Sequence, residues 1–598
     1  MSDELKKDQD TAEAATPKTT TEFFSDLDRR DVLKAGVATS ALAAGATTMG
    51  SASAQPGLNL AGRVFGQNPA TRAVRAFRNR NNNALSQFRR FRQMTGNFQS
   101  AVNSGDEDLY SDFRGSFHKS LVHNEFGEVE PSSFGTFLKA LRSRRPADFD
   151  AIEVGNPTAP DRFGLVAPQA AFSFDQSAVD SNGYRIDPAP AFASAETAVE
   201  MGELYWHALV RDVPFTQYDT DATVGSAVAD LNNNFSQTEF LTGGVPLTSG
   251  NIFRGTFAGA DVGPFVSQFL YQPYMFGRQR TVQRYVRPNQ GVGNNFMTDY
   301  DEWLAVQRGA APTDQTDFSA NQNRFIATSR DLAEWVHVDF PVQSPLNAFL
   351  ILCGYAGDDP NFLDPNIPYN RANFGIGTQD PFTSFGGGGL PHLVLQAPRL
   401  ALLGAWFQKW AVHRRLRPEV YAGRINNQIR GRRSYDLNSE ILNSDALAQI
   451  IAGAPSSDDV GLLPMAYPEG SPVHPAYPGG HSAFAAAGAT ICKAIFNEDA
   501  VIPNPVRANA AGSGLQNISD TLTVGGELNK LVGNITHGRD GAGMHWRSDG
   551  RGNFVGENVA ITLLADYSRT YNDDFDGFQL TRFNGERILI SNGRILAN

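Results

Sequence analysis

The segment Trp406-Phe407-Gln408-Lys409-Trp410-Ala411-Val412-His413-Arg414-Arg415-Leu416-Arg417-Pro418 constrains the fold more than any other. Leu400, Leu403, Trp406, Phe407 and Trp410 recur on one side of a helix. Pro398 suits its first turn and Pro418 its stop. This apolar helix also carries Lys409 and Arg417, which at helical pitch are offset by about 80°, within reach of long side chains converging on one point. Two cations on an aromatic helix suit a buried tetrahedral anion. Read alone, basic residues near a helix C-terminus also simply answer the helix dipole and water.

Two later segments supply matching parts. In His474-Pro475-Ala476-Tyr477-Pro478-Gly479-Gly480-His481-Ser482, the Pro-Gly-Gly turn is followed by a small-residue helix carrying Phe484, Ala487, Gly488, Ile491 and Ile495. The free N–H groups at such a helix start form an anion site. The glycines let an anion approach the backbone, and His481 is placed for proton transfer. In Gly538-Arg539-Asp540-Gly541-Ala542-Gly543-Met544-His545-Trp546-Arg547-Ser548-Asp549, Arg539 is another anion fork. A helix from about His545 to Tyr567 would bring Asp549 over His545 to hold its tautomer. Each segment also reads as an ordinary turn or glycine loop, but together they gather Lys409, Arg417, the Gly480 amide, His481, Arg539 and His545 in chain order.

The rest of the chain sets the frame. Its 598 residues exceed one ordinary domain, and 41% hydrophobic and 19% charged residues fit a soluble globular protein. A net charge of -12 implies no broad basic surface for nucleic acid. Cys353 and Cys492 lie in apolar contexts and read as buried free thiols, with a single disulfide left open. There is no CxxC or Cys/His cluster, which argues against zinc or iron–sulfur. Residues 1–28 read as disordered. Asp28-Arg29-Arg30-Asp31-Val32-Leu33-Lys34, a mild apolar stretch and Ala52-Ser53-Ala54 resemble a twin-arginine export signal with cleavage after Ala54, which places the mature protein in the periplasm or outside the cell. No stretch is long and apolar enough to span a membrane. Residues 55–389 read as mostly helical, with helical patterns at Arg72–Met94, Thr197–Val213 and Gln343–Tyr355. The Gly386–Gly389 run separates them from a helical C-terminal region, 390–598, that carries the oxyanion site. The fold class is mainly α, helical bundles joined by long loops.

The order Lys…Arg-Pro, Pro-x-Gly-His, Arg-x3-Gly-x-His-x3-Asp resembles the signature shared by vanadium haloperoxidases and the acid phosphatases related to them. Trp406, three residues before Lys409, and His474, seven before His481, are similar to residues of the bromoperoxidase branch. The run Glu203-Leu204-Tyr205-Trp206-His207-Ala208-Leu209-Val210-Arg211-Asp212-Val213-Pro214-Phe215 also resembles a segment of those enzymes.

This resemblance implies vanadate as cofactor, hydrogen peroxide and bromide or iodide as substrates, small organic acceptors, and a homo-oligomer. It implies that His545 bonds vanadium and Asp549 orients it, while Lys409, Arg417, Arg539 and the Gly480 amide neutralise the equatorial oxygens. His481 would move a proton at the apical position, His474 would lie near the halide path, and Lys409 would polarise the bound peroxide. One position departs: the family usually has Ser where this chain has Gly479. The lost hydrogen bond, worth about 1.5–3 kcal/mol, is expected to favour iodide or bromide over chloride. Two alternatives use the same residues: an acid phosphatase with a phosphohistidine at His545, and an oxyanion-binding protein without catalysis.

Overall fold

Helices carry most of the regular structure, among them α1 (Pro69–Met94), α2 (Ala195–Val210), α3 (Ser329–Trp335), α4 (Gln343–Asp358), α5 (Leu390–Phe407), α6 (Pro418–Ile429), α7 (Gly480–Ile495), α8 (Val524–Gly541) and α9 (Gly552–Tyr567). The computed structural model describes residues 69–94, 101–158, 163–180, 183–289, 294–313, 315–369 and 378–597. The proposed export signal therefore lies outside the described residues. Val74–Asn598 form one compact unit. Among the described residues the strands are short: three two-stranded antiparallel pairs, and a C-terminal antiparallel sheet of β1 (Phe578–Thr581), β2 (Arg587–Ser591) and β3 (Arg594–Ala597), with Phe578 opposite Ile590. Among the described residues no helix is long and apolar enough to cross a membrane. The expectation of a mainly α fold holds.

Small residues decide the centre. α7 is buried along nearly its whole length and packs against α5, α8 and α9. A Cβ at Gly556 of α9 would stand 2.0 Å from the Ala483 carbonyl, and one at Gly488 would stand 2.1 Å from the Cβ of Pro345 on α4. Glycine at both places lets backbones approach where no side chain fits. Phe484, Ile491 and Ile495 fill the surrounding core with Leu393, Val555 and Leu563, each large side chain contributing about 1.5–3 kcal/mol on burial. A second core gathers α2 and α6 around Tyr205, Trp206, Tyr421, Met544 and Trp546. The three signature segments run along the seam between the two cores.

Several sequence expectations need correction. α5 begins at Leu390, with Pro391 in its first turn, and Pro398 lies inside it. The helix does not run on to Pro418. It becomes a π-helix over Gln408–His413, closed by the Arg414 amide on the Lys409 carbonyl at 3.0 Å, and Arg414 then turns left-handed at φ 42. Pro418 opens α6 rather than stopping a helix, and Arg417 is the extended residue before it. The Arg539 segment is not a glycine loop: Arg539 sits in the last turn of α8. No helix starts at His545. A 3-10 turn, Arg547–Arg551, follows it and α9 begins at Gly552. Cys492 is buried and free as expected, whereas Cys353, also free, is exposed on α4.

Candidate active site

The break of α5 into a π-turn sends Lys409 inward, fully buried, where its ammonium donates to the carbonyls of Pro475 at 2.6 Å and Ala476 at 2.8 Å. Arg417, equally buried, reaches the same place from the mouth of α6. It donates through Nε to the His474 carbonyl at 3.0 Å, through Nη1 to the Met544 carbonyl at 2.9 Å, and through Nη2 to His474 Nδ1 at 2.9 Å. Arg539 comes off the end of α8 and donates Nη1 to the Val336 carbonyl at 2.7 Å, over the Tyr467 ring. Its buried Nε has no hydrogen-bond partner. The convergence expected of Lys409 and Arg417 is real, but a chain reversal produces it rather than a shared helix face.

His545 is oriented from both sides. Its Nδ1 is 2.7 Å from Asp549 Oδ2, which also accepts from the Trp546 amide at 3.0 Å. Its Nε2 is 3.0 Å from Arg417 Nη1. A guanidinium can only donate, so Nε2 must carry the lone pair and Nδ1 the proton. Burial, then Arg417, Lys409 and Arg539, hold the His545 pKa well below its ordinary value, so the ring is neutral. A neutral imidazole with its lone pair on Nε2 is the form that ligates metals. Asp549 meets His545 as expected, through a turn rather than a helix.

Around this pair, Gly479 caps α7 and its N–H donates to the Asp549 carbonyl at 2.6 Å, tying the α7 start to the His545 turn. The amides of Gly480 and His481 then fall in the first turn of α7, where no intrahelical carbonyl is available to them. Trp406 tilts over His474 with ring centres 4.9 Å apart, and Lys409 Nζ lies 5.9 Å from the Trp406 ring centre. Burial, then Lys409 and Arg417, push His474 well below its ordinary pKa.

His481 has a partner that sequence reading missed: Asp339, on the loop between α3 and α4, places Oδ1 2.8 Å from His481 Nε2. Burial lowers the His481 pKa, while Asp339 works against that shift. Val-His-Val-Asp-Phe, residues 336–340, carries no spacing that points to this contact. Only the fold brings it against α7.

Burial first, then Arg417 and Arg539, drives Lys409 well below its ordinary pKa, and burial takes Arg417 down to about 9. Among the described residues, none of the three cations has a carboxylate within ion-pair distance. Buried cations left so are strongly unfavourable, and an oxyanion among them relieves that cost. No cluster of three or more His, Cys, Asp or Glu among the described residues could hold a bare metal ion. The donor set fits a metal oxyanion with one nitrogen ligand.

No family model matches the chain. A vanadium-dependent bromoperoxidase of Ascophyllum nodosum is 33% identical over 510 residues, covering 81% of this chain and 87% of the relative. One of Corallina pilulifera is 32% identical over 574 residues, covering 81% of this chain and 94% of the relative. This chain belongs to the vanadium-dependent bromoperoxidase family. The fold agrees: the homohexameric structure of a second vanadate-dependent bromoperoxidase of Ascophyllum nodosum matches with a TM-score of 0.81 at 26% identity, over 92% of this chain and 96% of that one. At Gly479, where the resemblance implies a serine, a side chain has little room. A Cβ there would stand 2.8 Å from Ser482 Oγ and 3.0 Å from the Asp549 carbonyl.

Proposed function

We propose that the chain is a vanadate-dependent peroxidase that oxidises bromide or iodide with hydrogen peroxide to hypohalous acid, which halogenates small organic acceptors. The observation that carries this reading is the buried trio Lys409, Arg417 and Arg539, without carboxylate partners, acting together on the neutral His545, whose Nε2 lies 3.0 Å from Arg417. His545 Nε2 is the ligand nitrogen. The three cations and the Gly480 amide hold the oxyanion's oxygens. Bound vanadate supplies a pentavalent Lewis acid that makes peroxide oxygen electrophilic towards halide. Lys409 and the two guanidiniums, fixed by their carbonyl contacts, would stabilise negative charge on the bound oxyanion. His481, neutral and oriented by Asp339, accepts the proton released as peroxide enters and returns it as product leaves. Trp406 and His474 form the partly open side, where halide passes.

The deciding assay measures bromination of a dye by apo protein with and without orthovanadate, beside phosphomonoester hydrolysis. Vanadate restoring peroxide- and bromide-dependent turnover supports the reading. Vanadate inhibiting hydrolysis, with no bromination, returns the site to the phosphatase chemistry. Tight binding with neither activity makes it an oxyanion-binding protein. We further propose export through the twin-arginine route, tested by an N-terminus at Gln55 in the exported protein. A homo-oligomer is also proposed, supported by the homohexameric neighbour and tested by light scattering.

A further inference from the structure

α2 sits deep in the second core, and the Glu203–Phe215 run singled out in the sequence takes no part in the reaction drawn above. It nevertheless faces the site from behind. Glu200 and Glu203 lie one turn apart on the same side of α2 and are 0% and 2% exposed. Glu203 takes Arg547 in a fork, with Nε at 2.9 Å from both carboxylate oxygens and Nη2 at 2.5 Å from Oε1. Glu200 accepts the Ser548 amide at 2.5 Å and Arg415 Nη2 at 2.8 Å. Arg415 in turn donates Nη1 to Ser548 Oγ at 2.7 Å and lies 3.5 Å from Asp549 Oδ1. Arg547 and Ser548 lie between His545 and Asp549 in the chain. The two carboxylates therefore grip the turn that aims the nitrogen ligand.

Buried ion pairs are poor stabilisers, since apolar residues of similar volume serve a core as well or better. What they supply here is direction: two charged, bidentate anchors fix a turn that has no helix to hold it. We propose that Glu200 and Glu203 are positioning residues for the vanadium ligand, acting on His545 through Arg547, Ser548 and Arg415. This rests on the vanadate reading of the site.

The test uses the full chain in its apo form, titrated by calorimetry with orthovanadate and, separately, with inorganic phosphate. Phosphate needs the cations but forms no nitrogen bond. For Glu200→Gln and Glu203→Gln, vanadate Kd is expected to rise by about 10–100-fold, as for other outer partners of metal ligands, while phosphate Kd stays as in wild type. Glu527→Gln, which breaks a buried pair with Lys530 elsewhere, is expected to leave both constants unchanged. Should the glutamate variants fail to fold, Ser548→Ala removes only the Arg415 hydroxyl contact and is expected to weaken vanadate over phosphate in the same sense. Equal losses for both anions, or unchanged vanadate affinity, overturn the proposal. A wild-type chain that does not prefer vanadate to phosphate overturns the reading of the site itself, and this inference with it.

Discussion

Two residues of the pocket show how local chemistry sets what the site can do. Asp549 holds the proton on His545 Nδ1 and leaves Nε2 as the ligand. Asp549→Ala frees the ring to take the other tautomer and is expected to weaken vanadate binding by about 10–100-fold, read by equilibrium dialysis of apo protein. Gly479 poses the opposite problem, one of space. Its φ of -64 suits any residue, so backbone strain is not the obstacle. Ser482 Oγ, donating to the Gly479 carbonyl at 2.9 Å, fills the place a side chain would take. Gly479→Ser is therefore expected to cost about 1–3 kcal/mol by overpacking, seen as a lower denaturation midpoint. Adding Ser482→Ala is expected to return part of that loss. If the single variant melts with wild type, the crowding argument fails.

Elements explain which parts of the fold were legible. α2, α4 and α7 were visible because their apolar residues recur at helical spacing. α8 was not: Gly525, Gly526, Gly533 and Gly538 and a run of polar side chains hide a helix that is buried on all sides. The Lys409–Arg417 stretch looked like one helix because composition does not record a π-turn or a left-handed residue at Arg414. The motif residues survived these errors, since long side chains reach a common point from several backbones. The loop between α3 and α4 was silent in sequence yet brings Asp339 to His481 and His337 between Glu334 and Glu469, flat on Tyr467, whose ring Arg539 also covers. Burial opposes protonation of His337, but the two glutamates outweigh it and raise its pKa. A raised histidine stabilises fully below its unfolded pKa, about 6.5, and loses that contribution as pH climbs through the folded value. Wild type is expected to lose stability over that window, and His337→Gln to flatten the slope in melts at stepped pH. Parallel profiles would count against this.

At the scale of the molecule, the pocket is made of pieces scattered from Val336 to Asp549, joined only when both cores are formed. Lys409, Arg417, Arg539 and His545 meet only in the folded chain, so vanadate binds the native chain and not the unfolded one. At a free concentration about 100 times Kd this linkage is worth about 2.7 kcal/mol. The melting temperature is expected to rise with vanadate concentration, and to rise much less when His545 is replaced by alanine, which keeps the cations but removes the nitrogen ligand. A rise of equal size in that variant would place binding elsewhere.

The exposed flank of Trp406 has one more consequence. Trp546 is sealed in the core, but Trp406 is only half-buried and leans on His474 at the open side of the pocket. If hypohalous acid leaves past this indole, Trp406 is expected to be oxidised before the sealed Trp546, and peptide mapping after many turnovers checks which ring has gained oxygen.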